Sequence, residues 1–244
     1  MTTHPSESID AAWCRIGVLL PVTPASASPD LERLLIQTAR ELPNQSRLFV
    51  IAASWLVTYG ALVAKHRLKR LIVAELEAEH QAAMGLLLET AVELGASREL
   101  LLAASVCRVQ SPAHPLFASY LTDDALTQLA AQTASARSRS WGVWAPPVEI
   151  KEGIIRPASW VLGHNATYAA RAVRRGDLRC SILESLRHDS DGVAASEACV
   201  ARLSGATRAA VRKALAALVL EGEVELVEGT GVRRAQGVRL ARAG

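Results

Sequence analysis

The sequence predicts a mainly α-helical chain: an N-terminal helical bundle, then a C-terminal helix, turn, helix and small β-hairpin. Three observations lead there. Half of the 244 residues are hydrophobic but only 4% are aromatic, so Ala, Leu and Val must fill the core, and that mix favours helix over strand. Apolar residues recur at three- and four-residue spacing between residues 31 and 136. Strict alternation of apolar and polar residues appears only near the C-terminus, after Gly222.

Taken in order, residues 1–29 read as a flexible N-terminal arm, polar at first and then interrupted by Pro21, Pro24 and Pro29. The bundle follows over residues 30–136. Ser28 or Asp30 can cap a helix carrying Leu31, Leu34, Leu35, Thr38 and Leu42, which Pro43 stops. Residues 48–64 are uncharged and lie between Arg47 and the basic run from Lys65 to Arg70. Their length is the minimum for a membrane span, and Ser54, Thr58 and Gly60 dilute them, so they read as a buried central helix. Leu68, Ile72 and Leu76 continue the pattern. A helix through Met84, Leu87, Leu88 and Ala91 ends at Gly95, and Ser97 caps the next. After the break at Ser111, Pro112 and Pro115, Thr122 and Asp123 start a helix reaching about residue 136.

Composition changes over residues 137–176. Trp141, Trp144, Pro146, Pro147 and Gly153 replace the leucine spacing, which predicts a Trp/Pro-rich connector followed by a linker helix through residues 169–173. Trp141, Trp144 and Trp160 read as inter-domain packing. Arg171, Arg174, Arg175 and Arg179 cluster there and read as an extension of a phosphate-contacting surface.

The last segment, residues 177–244, carries the functional signal. Asp177 can cap a helix with Leu178, Ile182, Leu183 and Leu186 at core spacing. Residues 195–203 supply a short helix, and Gly205 can take the positive φ that a sharp helix-to-helix turn needs. Thr207 caps the next helix, whose inner stripe is Val211, Leu215 and Leu218. Its outer face holds Arg208, Ala209, Arg212 and Lys213, and no acidic residue occurs between Arg202 and Leu220. Residues 223–228 alternate as a half-buried strand, and Gly229 and Gly231 mark a turn. Arg233 and Arg234 then sit at the hairpin tip, ahead of a returning strand at 238–240.

The run SGATRAAVRKALAALVLEGEVELVEGTGVRRAQGVRL resembles the winged helix-turn-helix domain of bacterial transcriptional regulators, of the arsenical- and antibiotic-resistance repressor or GntR type. The resemblance covers roughly residues 177–242 and departs at Glu223, where such domains carry an apolar residue. It implies a DNA-binding fold with Thr207, Arg208, Ala209, Arg212 and Lys213 on the groove-entering helix and Arg233 and Arg234 on the wing. It further implies a sequence-specific transcriptional regulator, with an autoregulating antitoxin as a special case. The N-terminal region resembles no family. The chemistry agrees with the implied roles. An arginine near the start of such a helix can donate two hydrogen bonds to a guanine edge, and Arg208 and Arg212 are placed for that; Lys213 and the wing arginines suit phosphates.

A net charge of +3 excludes a histone-like coat, so any nucleic-acid surface must be local. Cys14, Cys107, Cys180 and Cys199 show no zinc spacing and read as buried hydrophobes. No basic segment precedes the short apolar run at residues 16–20, so no export signal is expected and a reducing cytoplasm is. No catalytic set, metal site or cofactor is expected. His188 and Asp189 read as a solvated turn, His66 and His80 lack a third metal ligand, and Glu75, Glu77 and Glu79 read as a solvated face. The expected partners are double-stranded DNA, a second copy of the chain in a homodimer, and a protein bound through the N-terminal helices; a membrane is not among them. The competing class is a protein-interaction scaffold, favoured by the modest charge and by Glu221, Glu223, Glu225 and Glu228 beside the wing.

Overall fold

The computed structural model describes residues 8–227 and 236–241. Its first helix lies inside the expected arm. Ser8 accepts a hydrogen bond from the Ala11 amide and starts α1 (Ile9–Arg15), whose Trp13 is fully buried and donates from Nε1 to Thr38 Oγ1 at 3.1 Å. Ile9, Trp13 and Ile16 recur at four- and three-residue spacing and give this short helix an apolar stripe, so it packs where an arm was expected.

Asp30 caps α2 (Leu31–Glu41). The apolar stretch forms α3 (Arg47–Tyr59), buried along most of its length, with Trp55 Nε1 donating to the Ile16 carbonyl at 3.0 Å. Among the described residues, no helix is long and apolar enough to cross a membrane. Next come α4 (Lys65–Glu75), α5 (Ala78–Glu93) and α6 (Leu101–Ala104), with Gly95 at φ +112° closing α5 as its sequence position suggested. β1 (His114–Pro115) pairs in parallel with β2 (Val143–Trp144), and α7 (Asp124–Thr133) and α8 (Ala136–Ser140) lie between them. The helix expected to reach about residue 136 starts at its Asp123 cap and stops at Thr133, and Ser135 caps the short α8 after it.

The expected connector is built into the same body. α9 (Ala158–His164) and α10 (Ala166–Arg174) follow it, and Trp141, Val143, Ala145, Val161 and Tyr168 belong to the core formed by α1 to α6. Trp141 covers Gly85, where a Cβ would come within 2.4 Å of the indole ring, and its Nε1 donates to Glu89 at 2.9 Å. Trp160 stacks on His164 and borders the same core, not a junction between two units.

The remaining elements enclose a second, smaller core. They are α11 (Leu178–Asp189), β3 (Val193–Ala194), α12 (Glu197–Ser204), α13 (Arg208–Leu220), β4 (Val224–Val227) and β5 (Gly237–Leu240). The strands form an antiparallel sheet in the order β3-β5-β4, with Ala194, Val238 and Leu226 in one register line. Ile182, Leu186, Val200, Val211, Leu215, Leu218, Val224 and Val238 fill the space between sheet and helices. β3 is an addition to the two-strand hairpin read from the sequence.

Candidate nucleic-acid interface

α12 and α13 are joined by a turn that only glycine fits. Gly205 has φ +73°, and a Cβ there would approach the His66 carbonyl oxygen of α4 to 2.4 Å. Both the backbone conformation and the close approach forbid a side chain. The turn is therefore seated on α4, which also packs against α11 and α12. After the turn, Thr207 Oγ1 accepts from the Ala210 amide at 3.4 Å and caps α13.

Burial of Val211, Leu215 and Leu218 fixes which side of α13 turns outward. Thr207, Arg208, Ala209, Arg212 and Lys213 are all exposed, Arg208 because it lies in the first turn, ahead of the buried stripe. Arg212 pairs with Glu197 of α12 at 3.1 Å, with both side chains in contact with solvent. Among the described residues, Arg208 and Lys213 have no ion-pair partner. Arg233 and Arg234 lie outside the described residues.

The second arginine group behaves otherwise. Arg171 is only 2% exposed and holds Glu32 at 2.7 Å and Glu184 at 2.6 Å. Arg174 pairs with Glu221 at 3.0 Å and Glu223 at 2.6 Å, and Arg179 with Asp177 and Glu221. Arg171 is thereby enclosed and withdrawn from the phosphate-contacting surface expected of the cluster, whereas Arg174 and Arg179 are held by partly exposed carboxylates and Arg175 is exposed. The same pairs explain Glu223. It ends as a surface acid held by Arg174, and its backbone continues the fold through hydrogen bonds to Leu218 and from Ala241.

Arg171 belongs to a larger junction between the two cores. Arg67, fully buried, reaches Asp30 at 2.6 Å, Glu32 at 2.9 Å and Asp189 at 3.0 Å. Asp189 also receives Arg70 at 2.7 Å and Arg33 at 2.8 Å. The solvated turn expected at His188 and Asp189 is instead the last turn of α11, with Asp189 inside this cluster and His188 Nε2 lying 3.4 Å from Glu184. Burial alone would raise the carboxyls of Asp30, Glu184 and Asp189. The guanidinium groups of Arg67 and Arg171 outweigh it, with help from Arg70 and Arg187, and hold all three below the ordinary carboxylate range. Glu77 and Glu79 are exposed, as expected of a solvated face, and Glu75 is half-buried; Glu75 and Glu77 pair with Arg33 and Arg40.

Sequence reasoning missed this junction because its members are far apart along the chain. Arg67 and Asp189 are separated by 122 positions, and Arg171 and Glu32 by 139. A charged residue inside a leucine-rich helix, such as Glu32 before Leu34 and Leu35, was the one local hint. Two chemically distinct surfaces result: a closed, charge-balanced junction and an open cationic face on α13. No family model matches the chain, and neither a curated protein nor a solved structure does.

Proposed function

We propose that the C-terminal segment is a winged helix that binds double-stranded DNA and that the protein is a sequence-specific transcriptional regulator. One observation carries this reading: α13 carries three exposed cations and no acid of its own, and among the described residues two of the three have no ion partner, immediately after a glycine-dependent turn. The element order α11, β3, α12, α13, β4, β5 and the three-stranded sheet support it. Arg208, in the first turn of α13, is the candidate for reading a guanine edge, a contact worth about 1–3 kcal/mol of discrimination. Lys213 suits a phosphate. Arg212 would exchange Glu197 for DNA. A single helix reads few base pairs, so the reading includes a homodimer on paired half-sites. The larger N-terminal body is left to bind an effector or a protein.

Fluorescence anisotropy with duplexes from upstream of the protein's own gene tests the proposal. Binding that prefers one sequence and is lost in the R208A/R212A double variant supports it. Equal, purely salt-sensitive binding of every duplex by both proteins overturns it.

A protein-interaction module remains the second reading because of one observation. The same C-terminal segment exposes Val219, Leu226 and above all Leu220, which is 90% exposed. The acids that suggested this reading from sequence support it less, since Glu221 and Glu223 pair with Arg174 and Glu225 with Arg239.

A further inference from the structure

We infer that the N-terminal body binds a small aliphatic carboxylate in a crevice beside α3. The crevice, about 280 Å³, lies between α3 and two extended segments. Those segments are laced together: the Leu19 amide donates to the Ile154 carbonyl at 2.8 Å, and Val18 bridges Ile155. The walls are therefore present before any ligand arrives. Val18, Leu19, Leu20, Val50, Ile51 and Ile154 line them, all aliphatic, while Leu19 keeps much of its surface open to solvent. Among the described residues no aromatic ring lines it, which disfavours flat heterocycles such as nucleobases.

Among the described residues, the only charged groups lining the crevice are cations, Arg47 and Lys151. Arg47 is engaged by Asp10. Lys151 has no ion-pair partner among the described residues, and its backbone is fixed to α3 by a 3.0 Å hydrogen bond from its amide to Ser54 Oγ. An apolar slot bordered by an exposed cation that has no ion-pair partner among the described residues suits a molecule with a short alkyl chain and a negative head. The size falls just under the usual range for small-molecule sites, which restricts the ligand to a modest chain length. This inference stands apart from the DNA-binding proposal and uses none of its residues.

Calorimetric titration of the full chain with sodium octanoate, octan-1-ol and octyltrimethylammonium, all below aggregation, tests it. One saturable octanoate site is expected, with the alcohol bound roughly five-fold more weakly and the cation not measurably bound. K151E, at an exposed position, should weaken octanoate about five-fold and leave the alcohol unchanged. V50W, filling the slot, should abolish both; I154W fills it from the opposite wall should V50W fail to fold. No saturable octanoate binding, equal octanoate affinity in K151E, or octanoate binding that survives the filled slot would overturn the inference.

Discussion

The two arginine-bearing surfaces of this protein differ in what surrounds each guanidinium, and that difference separates architecture from recognition. Arg67 and Arg171 are withdrawn from water and each touches at least two carboxylates, one from the larger body and one from α11. Arg208 and Lys213 stand on a helix where Ala occupies the neighbouring outward positions, and they meet no carboxylate among the described residues. A buried charge must be matched or it costs several kcal/mol, so the first set is committed to holding the two cores together. The second set is free to exchange water and counterions for another partner. Positive charge alone said nothing about which arginines were which.

The largest effect that could break this comparison comes from the junction. R67A leaves Asp30, Glu32 and Asp189 without their shared cation and should cost about 3–5 kcal/mol in urea unfolding. R208A should stay within about 0.5 kcal/mol of the parent protein. A cost for R67A no larger than that of R208A would erase the distinction. The reverse ordering is expected on DNA: R208A should lower the preference for the best duplex by about 1–3 kcal/mol, read as the ratio of affinities for that duplex and one with the guanine replaced.

Acid sharpens the comparison next. Asp30, Glu184 and Asp189 have folded-state pKa values below their unfolded ones. Their stabilising contribution is then complete above about pH 5 and is lost progressively as pH falls below about 4. Urea midpoints measured from pH 6 down to pH 3 should fall through that window. D189N should unfold more easily at pH 6 and show a shallower decline; a decline as steep as the parent's would remove Asp189 from the account. The smallest effect belongs to the open face. E197Q releases Arg212 and removes a negative charge beside it, so DNA should bind about two- to five-fold tighter, with stability changed by less than about 1 kcal/mol. Unchanged or weaker binding would mean that Arg212 does not take part.

Much of the smaller unit was legible because its signals are local. Gly205, Thr207 and the stripe Val211, Leu215, Leu218 lie within fourteen consecutive positions, and the structure uses each as its residue type suggests. β3 escaped notice because two residues are too few to show alternation, and it exists only by pairing with β5. α1 is masked by the prolines that follow it at 21, 24 and 29, although Trp13 is a local signal for burial. The exposed face of α13 could be anticipated from spacing alone. The fate of Arg171, Arg174 and Arg179 could not, since each meets a carboxylate brought in from a distant segment.

The seat of Gly205 on the His66 carbonyl has a mechanical consequence. A helix pair pressed backbone to backbone against its support has no swivel, so the angle at which α13 would meet a duplex is set by α4. In a two-fold assembly the distance between reading heads would then be a fixed gauge. A duplex whose half-sites are spaced wrongly would have to twist or bend to fit, at an elastic cost that grows with the misfit. Operator spacing would thus be selected by the protein's frame as much as by its fingertips.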